Sequence, residues 1–179
     1  NRSPELGIDP RNVSLWGESA GAHLALHGGL RFDPNTYEKR GGLDNLNPVA
    51  SIVEWYGPID FTTMDDHEGV VSAQTHDVAD SPEGLLLGGK PSDLPHLVAD
   101  ANPALFVTAS APAIQIRHGV KDVLVSVKQG RILKAAVEAS GSPLDYREIE
   151  GADHGFHGYA EAPNLIDEGI EFLKAHSRN

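Results

Sequence analysis

Short apolar segments alternate with longer amphipathic segments along the chain, and glycine or proline separates most of them. The short segments predict strands at 12–16, 48–56, 113–117 and 144–149. Apolar residues three and four positions apart predict helices at 20–30, 127–139 and 162–176. Strands that alternate with helices are typical of an α/β fold with a mainly parallel sheet and helices on both faces.

One segment interrupts this alternation. Residues 61–103 are rich in Asp, His, Gly and Pro, and they carry weak helical patterns only at 83–87 and 94–101. Such a segment is typical of an excursion across the surface of a sheet. We therefore interpret residues 61–103 as a lid-like insert within a single domain that spans residues 1–179.

Composition narrows the classes of function. The chain has 179 residues, of which 40% are hydrophobic, enough for one buried core. Its formal charge of -12 argues against a nucleic-acid partner, because phosphate binding requires excess positive charge. No apolar run approaches the ~20 residues that a membrane span requires. The absence of cysteine excludes disulfides, thiolate metal sites and a cysteine nucleophile, and no pattern indicates a cofactor.

The sequence GESAG at 17–21 fits the pattern G-x-S-x-G at a point where a predicted strand passes into a predicted helix. Small residues at Gly17 and Gly21 would let strand and helix approach, and the turn would present Ser19 as a nucleophile. The backbone amide of Ala20 could then donate to an oxyanion. The alternative is that Ser19 only caps the helix.

A serine nucleophile requires a base and a carboxylate that orients the base. Asp122 follows the third predicted strand and His154 follows the fourth, so both are expected at the same sheet edge as Ser19. Asp60, after the second strand, is an alternative acid, although a helix-capping role fits it better. Metal binding by His23 with His27 is a weaker interpretation because no third ligand is evident, and for His154 with His157 a base with a mobile neighbour fits the glycine-rich loop better. The acidic run at 65–68 resembles a solvated turn more than a calcium loop.

Four segments together resemble esterases of the α/β-hydrolase superfamily: WGESAGAHL at 16–24, WYGPIDF at 55–61, HGVKD at 118–122 and GADHGF at 151–156. The similarity is greatest to the branch that holds hormone-sensitive-lipase-like and carbohydrate-associated esterases. The resemblance implies that Ser19 is the nucleophile, His154 the general base, Asp122 the orienting acid and Ala20 an oxyanion donor.

The sequence departs from this family at three positions. Val120 and Ser126 stand where relatives often have Asp and Pro, and Asp153 stands where Gly commonly precedes the histidine. A carboxylate beside His154 could raise the pKa of its imidazole or compete for the Nδ1 proton. These departures bear on the conformation of the two loops.

The resemblance aligns the chain with the later part of the fold, so the first strands and the early His-Gly-Gly loop that supplies a second oxyanion donor are expected to be missing. The nucleophile strand would then lie at an open sheet edge. We expect self-association through that edge and little activity from the chain alone.

We predict a serine carboxylesterase that acts on small-to-medium esters, with a small-molecule ester as its partner. The first alternative is a serine peptidase of the same fold. The second is a non-catalytic binding module that has kept the fold.

Overall fold

A computed structural model of the protein describes residues 2–31 and 47–178. The strands are β1 Leu15–Glu18, β2 Ser51–Trp55, β3 Ala113–Gly119 and β4 Leu144–Ile149. The helices are α1 Ser3–Leu6, α2 Ala20–Leu30, α3 Pro82–Leu87, α4 Pro95–Ala101, α5 Val127–Ser140 and α6 Ala162–Ala175. This alternation confirms the predicted α/β class.

The four strands form one parallel sheet in the order β1-β2-β3-β4. In its register, Ile114 of β3 lies opposite both Ile52 of β2 and Leu144 of β4. Every residue of β2 and β3 is buried, including polar and charged residues such as Glu54 and His118. Because the strands are parallel, the loops that follow β1, β3 and β4 all begin at the same edge of the sheet.

Helices cover both faces of the sheet, as predicted. On one face α2 and α5 contribute Ala25, Leu26, Leu133 and Val137, which pack against Ile52, Ile114 and Ile116 of the sheet. On the opposite face α6 contributes Leu165 and Phe172, which pack against Val53, Trp55 and Ile149. Burial of these two apolar layers is the main stabilising contribution to the fold.

The segment 61–103 lies outside the sheet and contains α3 and α4. Ser81 caps α3 by accepting a hydrogen bond from the backbone N–H of Gly84 at 2.9 Å. Phe61, Met64 and Val98 form a small core of their own with Val125. The two weak helical patterns predicted in this segment correspond to the helices α3 and α4.

The first strand is displaced from its predicted position. It was expected at 12–16, but β1 begins at Leu15 and ends at Glu18. Asn12 instead binds the far end of the chain, where its side chain exchanges two hydrogen bonds with the backbone of Arg178 at 2.8 and 2.5 Å. Strand β3 also extends two residues beyond the predicted end, to Gly119.

Within residues 2–31 and 47–178, β1 pairs only with β2, so its other edge is open. This agrees with the expected position of the nucleophile strand at an edge. In the same two ranges, no helix combines the length and the apolar character needed to cross a membrane.

Candidate active site

Ser19 lies in the tight turn between β1 and α2, at the carboxyl edge of the sheet. Its backbone has φ 52° and ψ -124°, a conformation that is strained for residues other than glycine. Gly17 makes the turn possible, since a Cβ atom there would lie 2.1 Å from the backbone oxygen of Gly21. A Cβ atom on Gly21 would meet no described atom within 4 Å. The expectation that both glycines must be small is therefore wrong for Gly21.

His154 bridges Ser19 and Asp122. Its Nε2 lies 3.0 Å from Oγ of Ser19, and its Nδ1 lies 2.8 Å from Oδ2 of Asp122. The His154 side chain is 19% exposed, whereas Asp122 is fully buried behind it. The structure thus brings the three residues singled out from the sequence into one hydrogen-bonded chain.

The Asp122 carboxylate accepts hydrogen bonds at both oxygens. Oδ1 accepts from the backbone N–H groups of Leu124 and Val125, at 2.9 and 2.8 Å. Oδ2 accepts from His154, and Nε2 of His118 lies 3.5 Å away. Burial alone would raise the pKa of Asp122, but the interactions with His118 and His154 outweigh it and lower the pKa below its ordinary value. Asp122 is therefore ionised at neutral pH.

An ionised carboxylate at Asp122 determines the tautomer of His154. Oδ2 can only accept a hydrogen bond, so Nδ1 of His154 carries the hydrogen. In the neutral imidazole, Nε2 then presents its lone pair to the Ser19 hydroxyl. This arrangement can remove the proton from Ser19 during nucleophilic attack.

Asp153, which departs from the family pattern, does not compete for the imidazole. Its Oδ1 accepts from the backbone N–H groups of Val123 and His154, at 3.0 and 2.7 Å. Gly155 and Phe156 then turn the loop with φ of 69° and 58°. Asp153 therefore fixes the loop after β4 against the loop after β3, and it leaves Nδ1 of His154 to Asp122.

Tyr56 packs against the other side of His154. Its ring meets the imidazole edge-on, with 4.8 Å between the ring centroids. The Tyr56 hydroxyl donates to Oε2 of Glu18 at 2.7 Å. Burial, together with this contact to a carboxylate, raises the pKa of Tyr56, so the phenol remains protonated. Tyr56 thus restricts the rotation of the imidazole.

Ala20 is the first residue of α2, directly after Ser19. The backbone N–H groups of the first helical turn have no partner within a helix, and the helix dipole favours negative charge at this end. The amide of Ala20 is therefore suited to donate to an oxygen that becomes negative beside Ser19.

The alternative acid and the acidic run have other partners. Oδ1 of Asp60 accepts from the backbone N–H of Thr62 at 2.9 Å and from its hydroxyl at 2.6 Å, which is a local turn-forming role. Carboxylates of the run 65–68 form ion pairs with Lys128 of α5 at 2.8 and 3.2 Å. Neither group takes part in the chain of hydrogen bonds at Ser19.

The histidine pairs do not form a metal site. Nδ1 of His23 lies 2.9 Å from the carbonyl oxygen of Pro58, and Nε2 of His27 lies 2.9 Å from that of Ala101. In the part of the chain that the structure describes, no three His, Cys, Asp or Glu side chains are placed to hold a metal ion. These contacts to backbone carbonyls account for the positions of the His23 and His27 rings.

A mostly apolar pocket of about 270 Å³ begins at Ala20 and runs between α2 and the segment 61–103. Its lining residues are Ala20, His23, Leu24, Pro58, Phe61, Pro82, Glu83 and Leu86. A pocket of this kind beside a nucleophile can hold a small apolar group of a substrate.

Sequence patterns did not identify two buried ionisable groups in the central strands. Glu54 and His118 are both 0% exposed, in β2 and β3 respectively. Glu54 could have been singled out from the sequence, because it is an acidic residue inside a mostly apolar predicted strand. Carboxyl groups in such positions are rarely buried without a specific partner.

Comparison with known proteins identifies the family to which the chain is similar. The family model described as BD-FAE matches residues 1–137. Esterase LipQ of Mycobacterium tuberculosis is 30% identical over 155 residues, which are 85% of this chain and 34% of LipQ. The chain spans about a third of the length of the curated relatives that it matches.

Solved structures share the fold. A truncated form of a carbohydrate esterase from gut microbiota has a TM-score of 0.74 and 24% identity, covering 97% of this chain and 64% of its own. A puromycin-hydrolyzing peptidase of Mycobacterium tuberculosis has a TM-score of 0.70 and 19% identity, covering 98% of this chain and 23% of its own. The fold is thus the α/β-hydrolase fold, and because the BD-FAE model matches well over half of the residues, the chain belongs to the BD-FAE family.

Proposed function

We propose that this chain carries the catalytic machinery of a serine carboxylesterase that hydrolyses small-to-medium esters. The observation that carries the proposal is the chain of hydrogen bonds from Ser19 Oγ through His154 to Asp122, at 3.0 and 2.8 Å. The names of the curated relatives, Esterase LipQ and Esterase LipC among them, support ester hydrolysis in particular.

The proposed reaction proceeds through an acyl-enzyme. His154 Nε2 takes the proton of Ser19 as Oγ attacks the ester carbonyl carbon. The resulting oxyanion accepts a hydrogen bond from the amide of Ala20, while Asp122 stabilises the imidazolium of His154. His154 then protonates the departing alcohol, and a water molecule activated by the same imidazole releases the acid.

The size of the substrate is inferred from the pocket beside Ala20. Its volume of about 270 Å³ is below the usual range of about 300–1,000 Å³ for ligand sites. Leucine, proline and phenylalanine side chains form most of its wall, so it favours a short apolar acyl or alcohol group. Its small volume disfavours a long lipid chain.

Active-site labelling with a fluorophosphonate, followed by peptide mass spectrometry, tests the proposal. We expect covalent modification of Ser19, and its loss in Ser19→Ala and His154→Ala. Ser14→Ala is the matched control, because Ser14 lies just before β1 and its hydroxyl contacts that of Ser51, at 2.9 Å, away from His154. Modification elsewhere, or equal modification of His154→Ala, would refute the assignment. Turnover of aryl esters of increasing acyl length, compared with the matching anilides, then separates an esterase from a peptidase.

A further inference from the structure

One side chain of the segment 61–103 contacts the loop that carries Asp122. That loop, residues 122–126, lies between β3 and α5, and we call it the acid loop. Nε2 of His76 lies 2.9 Å from the carbonyl oxygen of Leu124 in this loop. The backbone N–H of the same Leu124 donates to Oδ1 of Asp122 at 2.9 Å. A single residue therefore connects His76 to the orienting acid.

The neighbouring carbonyl groups of the acid loop have partners as well. That of Val123 accepts from the backbone N–H of Ala73 at 2.8 Å, and that of Val125 lies 2.8 Å from Nε2 of His118. Backbone groups with fixed partners leave a loop few alternative conformations. The segment 61–103 thus restrains the acid loop at two consecutive residues, and β3 restrains it at the third.

Glu83 of α3 contacts the other nitrogen of the His76 ring. Its Oε2 lies 3.0 Å from Nδ1 of His76, and the two residues are only 6% and 4% exposed. Both ring nitrogens therefore face an oxygen that accepts hydrogen bonds. A neutral imidazole carries one hydrogen, so it can donate to only one of them. Both contacts are hydrogen bonds only when the pair holds one proton more than a neutral imidazole with a carboxylate.

That proton is better placed on His76 than on Glu83. The ordinary pKa of histidine, about 6.5, is roughly two units above that of glutamic acid. Burial lowers the pKa of His76, but the contacts with Glu83 raise it by more, so it lies above its ordinary value. The pair is thus an imidazolium with a carboxylate, two buried charges that neutralise each other.

Three further titratable groups surround this pair. Oδ1 of Asp65 accepts from the backbone N–H of His76 at 2.8 Å, and the charge of Asp65 also raises the pKa of His76. His23 of α2 lines the same pocket as Glu83, and Asp122 lies in the acid loop that the ring contacts. Glu83 is the carboxylate in contact with a ring nitrogen, and it therefore has the strongest influence on the protonation of His76.

We propose that His76 is a positioning residue for the orienting acid Asp122. As an imidazolium held by Glu83, it fixes the acid loop through the carbonyl group of Leu124. The inference rests on the proposed function, because Asp122 is the acid of that reaction.

The same contacts make the support of the acid loop depend on pH. When pH rises through the raised pKa of His76, the ring loses one of its two hydrogens. The remaining hydrogen stays on Nδ1, since a carboxylate accepts a stronger hydrogen bond than a carbonyl group does. The lone pair of Nε2 then faces the carbonyl oxygen of Leu124, and the two repel each other. The acid loop is therefore held less tightly in alkaline solution.

Three variants and one control test this role. His76→Leu removes both contacts, whereas His76→Gln offers an amide N–H to Leu124 but cannot titrate. Glu83→Gln keeps both contacts without the extra proton, because its NH₂ group can donate to Nδ1 of a neutral ring. His27→Gln is the matched control. Nε2 of His27 also lies 2.9 Å from a carbonyl oxygen, that of Ala101, but it joins that group to α2 and not to the acid loop.

The first readout is the protonation of the His76 ring, measured by ¹⁵N NMR of the full chain and assigned by the signals that His76→Gln loses. At about pH 6, below the ordinary pKa of histidine, we expect hydrogen on both nitrogens in the wild type and in His27→Gln. In Glu83→Gln we expect a neutral ring with its hydrogen on Nε2. A neutral wild-type ring, or an imidazolium in Glu83→Gln, would overturn the proposal.

The second readout is the rate of fluorophosphonate labelling at Ser19. We expect His76→Leu to label about 10- to 100-fold more slowly than wild type, as small displacements of a catalytic group do. His76→Gln should recover most of that loss. The ratio of the rate at about pH 9 to that at about pH 7 should be about 2- to 10-fold lower in the wild type and His27→Gln than in His76→Gln and Glu83→Gln, the effect of one lost hydrogen bond.

The outcomes separate the parts of the inference. Wild-type labelling of His76→Leu would disprove the positioning role. Equal ratios in the wild type and Glu83→Gln would disprove its dependence on the imidazolium. Should His76→Leu not fold, the ratios of the two glutamine variants decide. An imidazolium at His76 in a wild-type chain that is not labelled at Ser19 would support the ion pair and refute the proposed function, so the two failures are distinguishable.

Discussion

Replacing Asp122 by asparagine should reverse the tautomer of His154 without changing the shape of the site. Oδ1 of Asp122 accepts from two backbone N–H groups, those of Leu124 and Val125, at 2.9 and 2.8 Å. The carboxamide oxygen of Asn at this position must remain there, because the amide nitrogen cannot accept. The NH₂ group is then directed at Nδ1 of His154, in the place of Oδ2.

An NH₂ group can only donate to Nδ1, so the imidazole hydrogen moves to Nε2, which faces Ser19. His154 can then no longer accept the serine proton. Loss of the correct tautomer in a serine hydrolase lowers kcat by about 10⁴-fold. That factor corresponds to about 5.4 kcal/mol of lost transition-state stabilisation. The folded state should change little, because the two backbone hydrogen bonds to Oδ1 persist.

The assay is the second-order rate of fluorophosphonate labelling at Ser19, with thermal unfolding measured in parallel. Asp60→Asn and Asp153→Asn are the controls, since both carboxylates accept from backbone N–H groups through Oδ1, a role that an amide oxygen keeps. We expect both controls to label within a few-fold of wild type. Labelling of Asp122→Asn within tenfold of wild type, or a large loss in Asp60→Asn, would refute the reasoning.

Three other predictions follow from packing and charge. Gly17→Ala should destabilise the fold by about 3 kcal/mol in urea denaturation, because its Cβ would meet backbone atoms. Gly21→Ala should be neutral or stabilise the fold by up to about 1 kcal/mol, because its Cβ meets no such atom and Ala favours a helix more than Gly does. Glu83→Gln should cost about 2 kcal/mol at pH 5, since Glu83 contacts the buried His76 at 3.0 Å. Although burial lowers the pKa of His76, Glu83 raises it overall. The Glu83→Gln difference should therefore be complete below the unfolded pKa of about 6.5 and disappear as pH rises through the folded pKa. We also propose self-association through the open edge of β1, which sedimentation velocity should show as concentration-dependent mass; a monomer at all concentrations would contradict it.

The sequence predicted those elements whose ends are fixed by local chemistry. The bounds of β4 and α2 match their predicted ranges, and α5 ends where Gly141 adopts the left-handed conformation with φ of 76°. The start of β1 was misplaced, and Asn12 instead binds Arg178, a contact 166 positions away that no local pattern contains. Local signals define turns and caps, whereas a partner distant in sequence is visible only after folding.

The same limit applies to the candidate site. The positions of Ser19, Asp122 and His154 could be predicted because parallel strands end at a common edge, so three loops must meet there. The burial of Glu54 and His118 could not be predicted in this way. It depends on the interior positions of β2 and β3 in the sheet and, for His118, on the Val125 carbonyl oxygen that lies 2.8 Å from its Nε2.

Three aspartates follow the ends of strands at this edge, and their hydrogen bonds distinguish them. Oδ1 of Asp60 accepts hydrogen bonds from Thr62. Oδ1 of Asp153 accepts from backbone N–H groups of its own loop and of the neighbouring loop. Oδ1 of Asp122 also accepts from backbone N–H groups, but its Oδ2 lies beside two imidazole rings. Nδ1 of His154 is 2.8 Å from Oδ2, and Nε2 of His118 is 3.5 Å from it. Because backbone donors hold the first oxygen in place, the second is held rigidly against His154, which is what an orienting acid requires.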